Sequence, residues 1–167
     1  GALFGYFLEK QAETIFRNPL LIAAALFIMG LVLYLADKYA SHRRDIKTLN
    51  KKEAAIIGLS QAFSIIPGVS RAGSTIATGL FLGLDRVSAA RFSFLLSAPI
   101  IFGATILKLK YILSSSFLEI IAIATAAISG YVAIAFLLKY IEKVSYKIFF
   151  WYRLLLAALI VLVWFMK

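Results

Sequence analysis

An all-α, polytopic bundle of membrane helices is the fold this sequence predicts, and three observations carry the prediction. Of its 167 residues, 62% are hydrophobic and 16% charged, against roughly 45–50% and about 25% in soluble domains. Two long uncharged runs, Pro19–Ala36 with 18 residues and Ile120–Leu138 with 19, are each long enough to cross about 30 Å of hydrocarbon. The basic excess, 18 Lys and Arg against 8 acidic residues, lies mostly between the apolar runs, where it faces anionic lipid and marks cytoplasmic loops. A water-soluble enzyme, a disordered tail and a nucleic-acid-binding arm are therefore excluded. With no cysteine, thiol chemistry, disulfides and Cys-ligated metals are excluded as well.

The chain reads as a single membrane domain whose elements follow in order. Residues 1–18 place Phe4, Phe7, Leu8, Ala12 and Ile15 on one face and charged residues elsewhere, the pattern of an interfacial helix. A first span over 19–36 leads into a basic loop over 37–53. The stretch 54–84 differs from a simple span. As one straight helix its 31 residues would extend about 46 Å and overshoot the bilayer. It is interrupted at Pro67-Gly68, with Arg71 near its middle. Split there, Ala54–Ile66 and Ala72–Leu84 become half-helices of a re-entrant hairpin, each about 20 Å long. Further spans are expected over 92–107, 120–138 and 148–166, the last with Trp151, Tyr152 and Trp164 near its ends as interfacial aromatics. If the hairpin returns to its own side, 11 basic residues fall inside and five outside, as the positive-inside rule requires. The sequence lacks an initiator Met and a secretory signal pattern, so it is expected to be part of a longer protein.

The break is the candidate site. Pro67 removes an N–H donor and Gly68 permits a turn closed to other residues. Ser70 is placed to cap the second half-helix. The free N–H groups and positive dipole end of that helix attract an anion. Arg71 adds a guanidinium fork suited to phosphate oxygens. Ser74 and Thr75 lie about one turn on, and Gly73 permits close approach. Together they would hold a phosphate-type anion at membrane depth. A merely kinked spanning helix is the competing reading, but a mid-membrane charge costs about 2.5–3.5 kcal/mol on insertion scales and usually serves function. Gly79 and Gly83, and the stripe Ala122, Ala126 and Gly130, read as helix packing. His42 reads as a solvated loop histidine, and Glu53 and Asp85 as interfacial caps. Arg153 is left between a lipid headgroup and an interior carboxylate. No metal-ligand cluster is present.

The string Pro67-Gly68-Val69-Ser70-Arg71-Ala72-Gly73-Ser74-Thr75, followed by Gly79-Leu80-Phe81-Leu82-Gly83-Leu84 and Ala90-Arg91-Phe92-Ser93-Phe94-Leu95-Leu96, closely resembles the undecaprenyl-diphosphatase family of bacitracin-resistance membrane phosphatases. The resemblance runs along the whole chain. The family usually has Ser where Ala72 stands, so that hydroxyl is dispensable or is replaced by Ser74. The resemblance implies that Ser70, Arg71 and Thr75 bind the diphosphate, with Arg71 and Ser70 catalytic. It also implies that Gln61 is a recurrent polar position. The implied fold is one half of an inverted repeat whose two re-entrant hairpins meet near the midplane.

The implied reaction is hydrolysis of a polyprenyl diphosphate to the monophosphate carrier lipid and phosphate. It implies a divalent cation, Mg or Ca, whose ligands are not in this chain, and a plasma-membrane site opening to the outer face. The family's second signature is an acidic pair four residues apart, followed by Pro-x-Ser-Ser and a His, and it is missing here. Glu9 and Glu13 have the spacing, but Ile15-Phe16-Arg17-Asn18-Pro19 follows them. The expected partners are therefore the lipid diphosphate, the membrane, a missing N-terminal repeat and, failing that, a second copy of the chain; nucleic acid is not among them. A transporter or flippase for a phosphorylated polyprenyl lipid is the alternative, since binding needs no acid–base group whereas hydrolysis usually does. A purely structural membrane subunit is the plainest option.

Overall fold

The computed structural model describes residues 18–108 and 116–166, and these contain six α-helices and two short 3-10 turns with no strand. The helices are α1 (Pro19–Tyr39), α2 (Lys51–Ser60), α3 (Arg71–Phe81), α4 (Arg86–Leu107), α5 (Phe117–Ile141) and α6 (Lys147–Phe165). Four of them, α1, α4, α5 and α6, are long and apolar enough to cross a membrane, and the protein is an all-α, multi-pass membrane protein. The interfacial helix expected over 1–18 lies outside the described residues, save Asn18.

Side-chain caps set most of the helix starts. Asn18 accepts from the Leu20 N–H at 2.9 Å, with Pro19 next in line, where its missing donor costs nothing. Asp85 accepts from Ser88 N–H and so starts α4 at Arg86, six residues before the expected 92. Asn50 and Glu53 form a reciprocal capping box, which satisfies two orphan donors and starts α2 three residues before the expected Ala54. The caps expected at Glu53 and Asp85 are thus both present. The first half-helix is α-helical only to Ser60 and continues as a 3-10 turn from Gln61 to Ile65.

Both feet of the hairpin meet at one end of the bundle, joined by Arg44. The Arg44 guanidinium donates to both Glu53 oxygens, at 2.7 and 2.9 Å, and to the Leu82 carbonyl at 3.0 Å. Its backbone also bonds Gly83 O and Asp85 N–H, at 3.0 and 2.9 Å. Arg44 and the Asn50 N–H hold the Glu53 carboxyl down at about 2. The pair is complete above the ordinary carboxylate range and is lost only as pH falls through that value.

A second knot ties the same end. Asp37, 4% exposed, accepts from Arg86 Nε at 2.5 Å, from Ser145 Oγ at 2.5 Å and from the Tyr146 N–H at 2.9 Å. The end of α1 and the starts of α4 and α6 therefore converge, which brings the basic stretches around 37–53, 86–91 and 139–147 together. Leu80, Leu84, Ala36, Ala90 and Ile141 fill the core there. Gly79 lets α3 and α4 approach closely there, since an added Cβ would lie 3.3 Å from the Ala89 Cβ, tighter than an ordinary contact.

One expectation is corrected, and another finds no counterpart among the described residues. His42 is half-buried rather than solvated: its Nε2 N–H donates to the Asp37 carbonyl at 2.7 Å, because the chain turns back there to bring Arg44 to the hairpin. The Ala122, Ala126 and Gly130 stripe packs on nothing among the described residues. Only Ile141 of α5 is buried, and an added Cβ at Gly130 would meet no atom within 4 Å.

Candidate functional site

Pro67 and Gly68 form a turn that is pressed directly onto α1. Gly68 has φ +96°, and a Cβ there would lie 2.7 Å from the Ile22 carbonyl oxygen and 3.1 Å from the Ala25 Cβ. Glycine is thus required for both conformation and space. Gly68→Ala should lower stability by about 2 kcal/mol or more, through strain plus displacement of α1. Denaturant unfolding in nanodiscs reads this directly, and an unchanged midpoint would mean that the turn and α1 are not in contact.

Ser70 caps α3 as expected, its Oγ accepting from the Gly73 N–H at 3.2 Å. Its backbone is strained, at φ 62° and ψ 119°, a conformation that costs a non-glycine residue about 1–3 kcal/mol and concentrates at functional sites. The hydroxyl proton donates to no other described residue, so it is available to a ligand. The Arg71 and Ala72 N–H groups precede the first intrahelical bond, from Ser74 N–H to Ser70 O, and point out of the helix start. The guanidinium of the half-buried Arg71 makes no hydrogen bond or ion pair with any described residue.

The hydroxyls one turn further on are divided. Ser74 Oγ donates to Arg71 O at 3.0 Å, and its side chain faces a groove between α1 and the hairpin. Thr75 is 1% exposed and faces α4. It lies 3.0 Å from Arg71 O and 2.7 Å from Ser93 Oγ, so it braces α3 against α4. The two neighbours point apart because successive helix residues differ by about 100°. Gln61 is 5% exposed; its Oε1 meets no donor among the described residues, and no hydrogen bond links it to Ser70 or Arg71.

One residue reaches the turn that the sequence could not assign to it. Arg153 of α6 pairs with no carboxylate within 4 Å among the described residues; its Nη1 donates to the Gly68 carbonyl at 3.4 Å. Its Nη2 lies 3.5 Å from where a Gly73 side chain would stand. A single charge within an apolar run was the only signal available for it.

The groove beside the turn has a volume of about 560 Å³ and is bounded by Leu21, Ala25 and Met29 of α1, by Ile66 and Val69 of the turn, and by Ala77 and Phe81 of α3. Its walls are almost wholly apolar, and Ser74 sits among them. Among the described residues no three carboxylate, imidazole or thiol groups lie together. The groups at the turn are guanidinium, hydroxyl and N–H, a donor set that repels a divalent cation and attracts an anion. It does not fit the implied metal.

A family model described as "Bacitracin resistance protein BacA" matches residues 1–159. Curated relatives named undecaprenyl-diphosphatase include that of Moorella thermoacetica, 53% identical over 100% of this chain and 65% of the relative. That of Pelotomaculum thermopropionicum is 50% identical over 92% and 59%. That of Caldicellulosiruptor bescii is 47% identical over 96% and 62%. The chain thus spans less than two thirds of the length of these relatives.

Proposed function

The chain belongs to the bacitracin resistance protein BacA family, and we propose that it carries the anion-binding half of a polyprenyl-diphosphatase site. The whole site hydrolyses undecaprenyl diphosphate to the monophosphate carrier and phosphate, recycling the lipid for envelope synthesis and lowering bacitracin sensitivity. The observation that carries this reading is the strained Ser70 cap, with unpaired Arg71 beside it, next to an apolar groove. A charged headgroup on an apolar chain needs those two surfaces side by side. The Ser70 hydroxyl and the α3 N–H groups donate to phosphoryl oxygens, Arg71 engages them through its fork, and Gly73 leaves room. These donors stabilise charge on the transferring group.

The positive-inside rule puts the basic end in the cytoplasm of a plasma-membrane protein. The hairpin enters from that end, and the opening of the site to the outer face is carried over from the family rather than read from the charges. The acid–base group and any divalent cation ligands belong to residues beyond those described, consistent with the missing acidic and His-containing signature. An isolated hairpin also leaves irregular backbone and charge without cover, which favours docking onto a complementary repeat or self-association.

The test is phosphate release from a polyprenyl diphosphate with divalent cation. The 167-residue chain alone is expected to show no appreciable turnover. Co-expression with the portion of the Moorella relative that it does not cover should restore turnover. Robust hydrolysis by the chain alone would overturn this division of roles. Binding and transbilayer movement of the lipid without phosphate release, by the co-expressed pair, would favour a transporter.

A further inference from the structure

We propose that Arg153 is the second guanidinium of this site and that it sets the preference for a diphosphate over a monophosphate headgroup; the inference rests on the reading above and deepens it. Arg153 lies well inside α6, where a charge needs a reason. Its stem passes α1 at Gly30, where an added Cβ would lie 3.3 Å from the Arg153 Cδ, so the missing side chain leaves the passage open. Its head reaches the turn. The point that a Gly73 side chain would occupy is 3.5 Å from Arg153 Nη2 and 3.4 Å from Ser70 Oγ. The Gly73 gap is therefore walled by a hydroxyl donor on one side and a guanidinium on the other.

Nothing described neutralises that guanidinium. Its one hydrogen bond, to Gly68 O, is long at 3.4 Å and uses one of five N–H donors. A partly buried charge without a counter-ion carries a desolvation cost that a bound anion offsets. Arg71 and Arg153 offer two forks, one for each phosphoryl group of a diphosphate. A monophosphate fills only one of them. Hydrolysis would then leave the lipid product held on one side only, which favours its release.

Binding of farnesyl diphosphate and farnesyl monophosphate to the co-expressed pair in nanodiscs tests this. Arg153→Gln keeps an N–H donor for Gly68 but removes the charge. It should weaken diphosphate binding about tenfold or more, change monophosphate binding by less than about twofold, and leave the unfolding midpoint in place. Arg153→Lys should recover part of the loss. Gly73→Ala, whose methyl makes only ordinary contacts at 3.4–3.5 Å, should fold normally and also lose diphosphate affinity. Undiminished diphosphate binding by Arg153→Gln overturns the proposal. So do equal losses for both ligands, which would make Arg153 a brace for the turn. If the unsubstituted pair binds neither ligand, the diphosphatase reading itself fails.

Discussion

Replacing Arg71 by Lys should reduce turnover of polyprenyl diphosphate by about a hundredfold or more, while leaving the fold as stable as before. Lysine keeps the charge but loses the planar fork that engages two phosphoryl oxygens at once. Losing a charge-assisted contact made at the reacting group costs about 3 kcal/mol, or roughly a hundredfold in rate. The Arg71 guanidinium bonds no described residue, and its backbone carbonyl still accepts from Ser74 and Thr75 in the variant, so the substitution breaks no bond in the bundle. Phosphate release by the co-expressed pair and denaturant unfolding of the same sample check the two halves of the prediction. Near-normal turnover would remove Arg71 from the chemistry. A lowered unfolding midpoint would make it a structural residue instead.

The opposite signature is expected at Asp37. Its side chain is 2% exposed and pairs with Arg86, while also accepting from Ser145 and the Tyr146 N–H. Asp37→Ala leaves a cation, a hydroxyl and an N–H without their acceptor, and removing one partner of a buried pair typically costs about 3–5 kcal/mol. Stability should fall by that order, with the ends of α1, α4 and α6 loosening first. Asp37→Asn should cost less, because the amide oxygen still accepts. Hydrogen exchange at Tyr146 and Arg86 locates the opening, and protection equal to that of the unsubstituted chain would refute the knot.

Elements governed by local chemistry could be read from residues alone. Pro67-Gly68 announced the break, Ser70 the cap, and the uncharged runs the spans, because each depends on a property of one residue or one window. Long-range contacts could not. Arg44 looked like one more basic loop residue, yet it joins Glu53 to Leu82, 9 and 38 positions away. Asp37 was only one of three acids in a basic loop, although the hydrogen-bond donors to its carboxylate lie 49 and more positions away. The start of α4 was misplaced because Arg86 and Arg91 interrupt the apolar count, whereas the cap that sets it, Asp85, is a short-range signal. At the site, Ser74 and Thr75 shared one spacing argument, and only packing against α4 separated them. Arg153 could not be placed, because nothing in α6 records that Gly30 stands opposite it.

The clamped feet fix how far the turn stands from their end of the bundle. α3 has 11 residues and rises about 16 Å, roughly half the thickness of a hydrocarbon core of about 30 Å. Phosphates of a lipid normally float at the bilayer surface. If the turn takes the lipid diphosphate as proposed, the headgroup has to sink to it while its first isoprene units give way sideways. The distance it sinks is set by lipid composition as much as by the protein. On that reading, with the lipid entering from the outer face, a thin, fluid bilayer shortens the descent and a thick, ordered one lengthens it, and turnover should vary with membrane thickness.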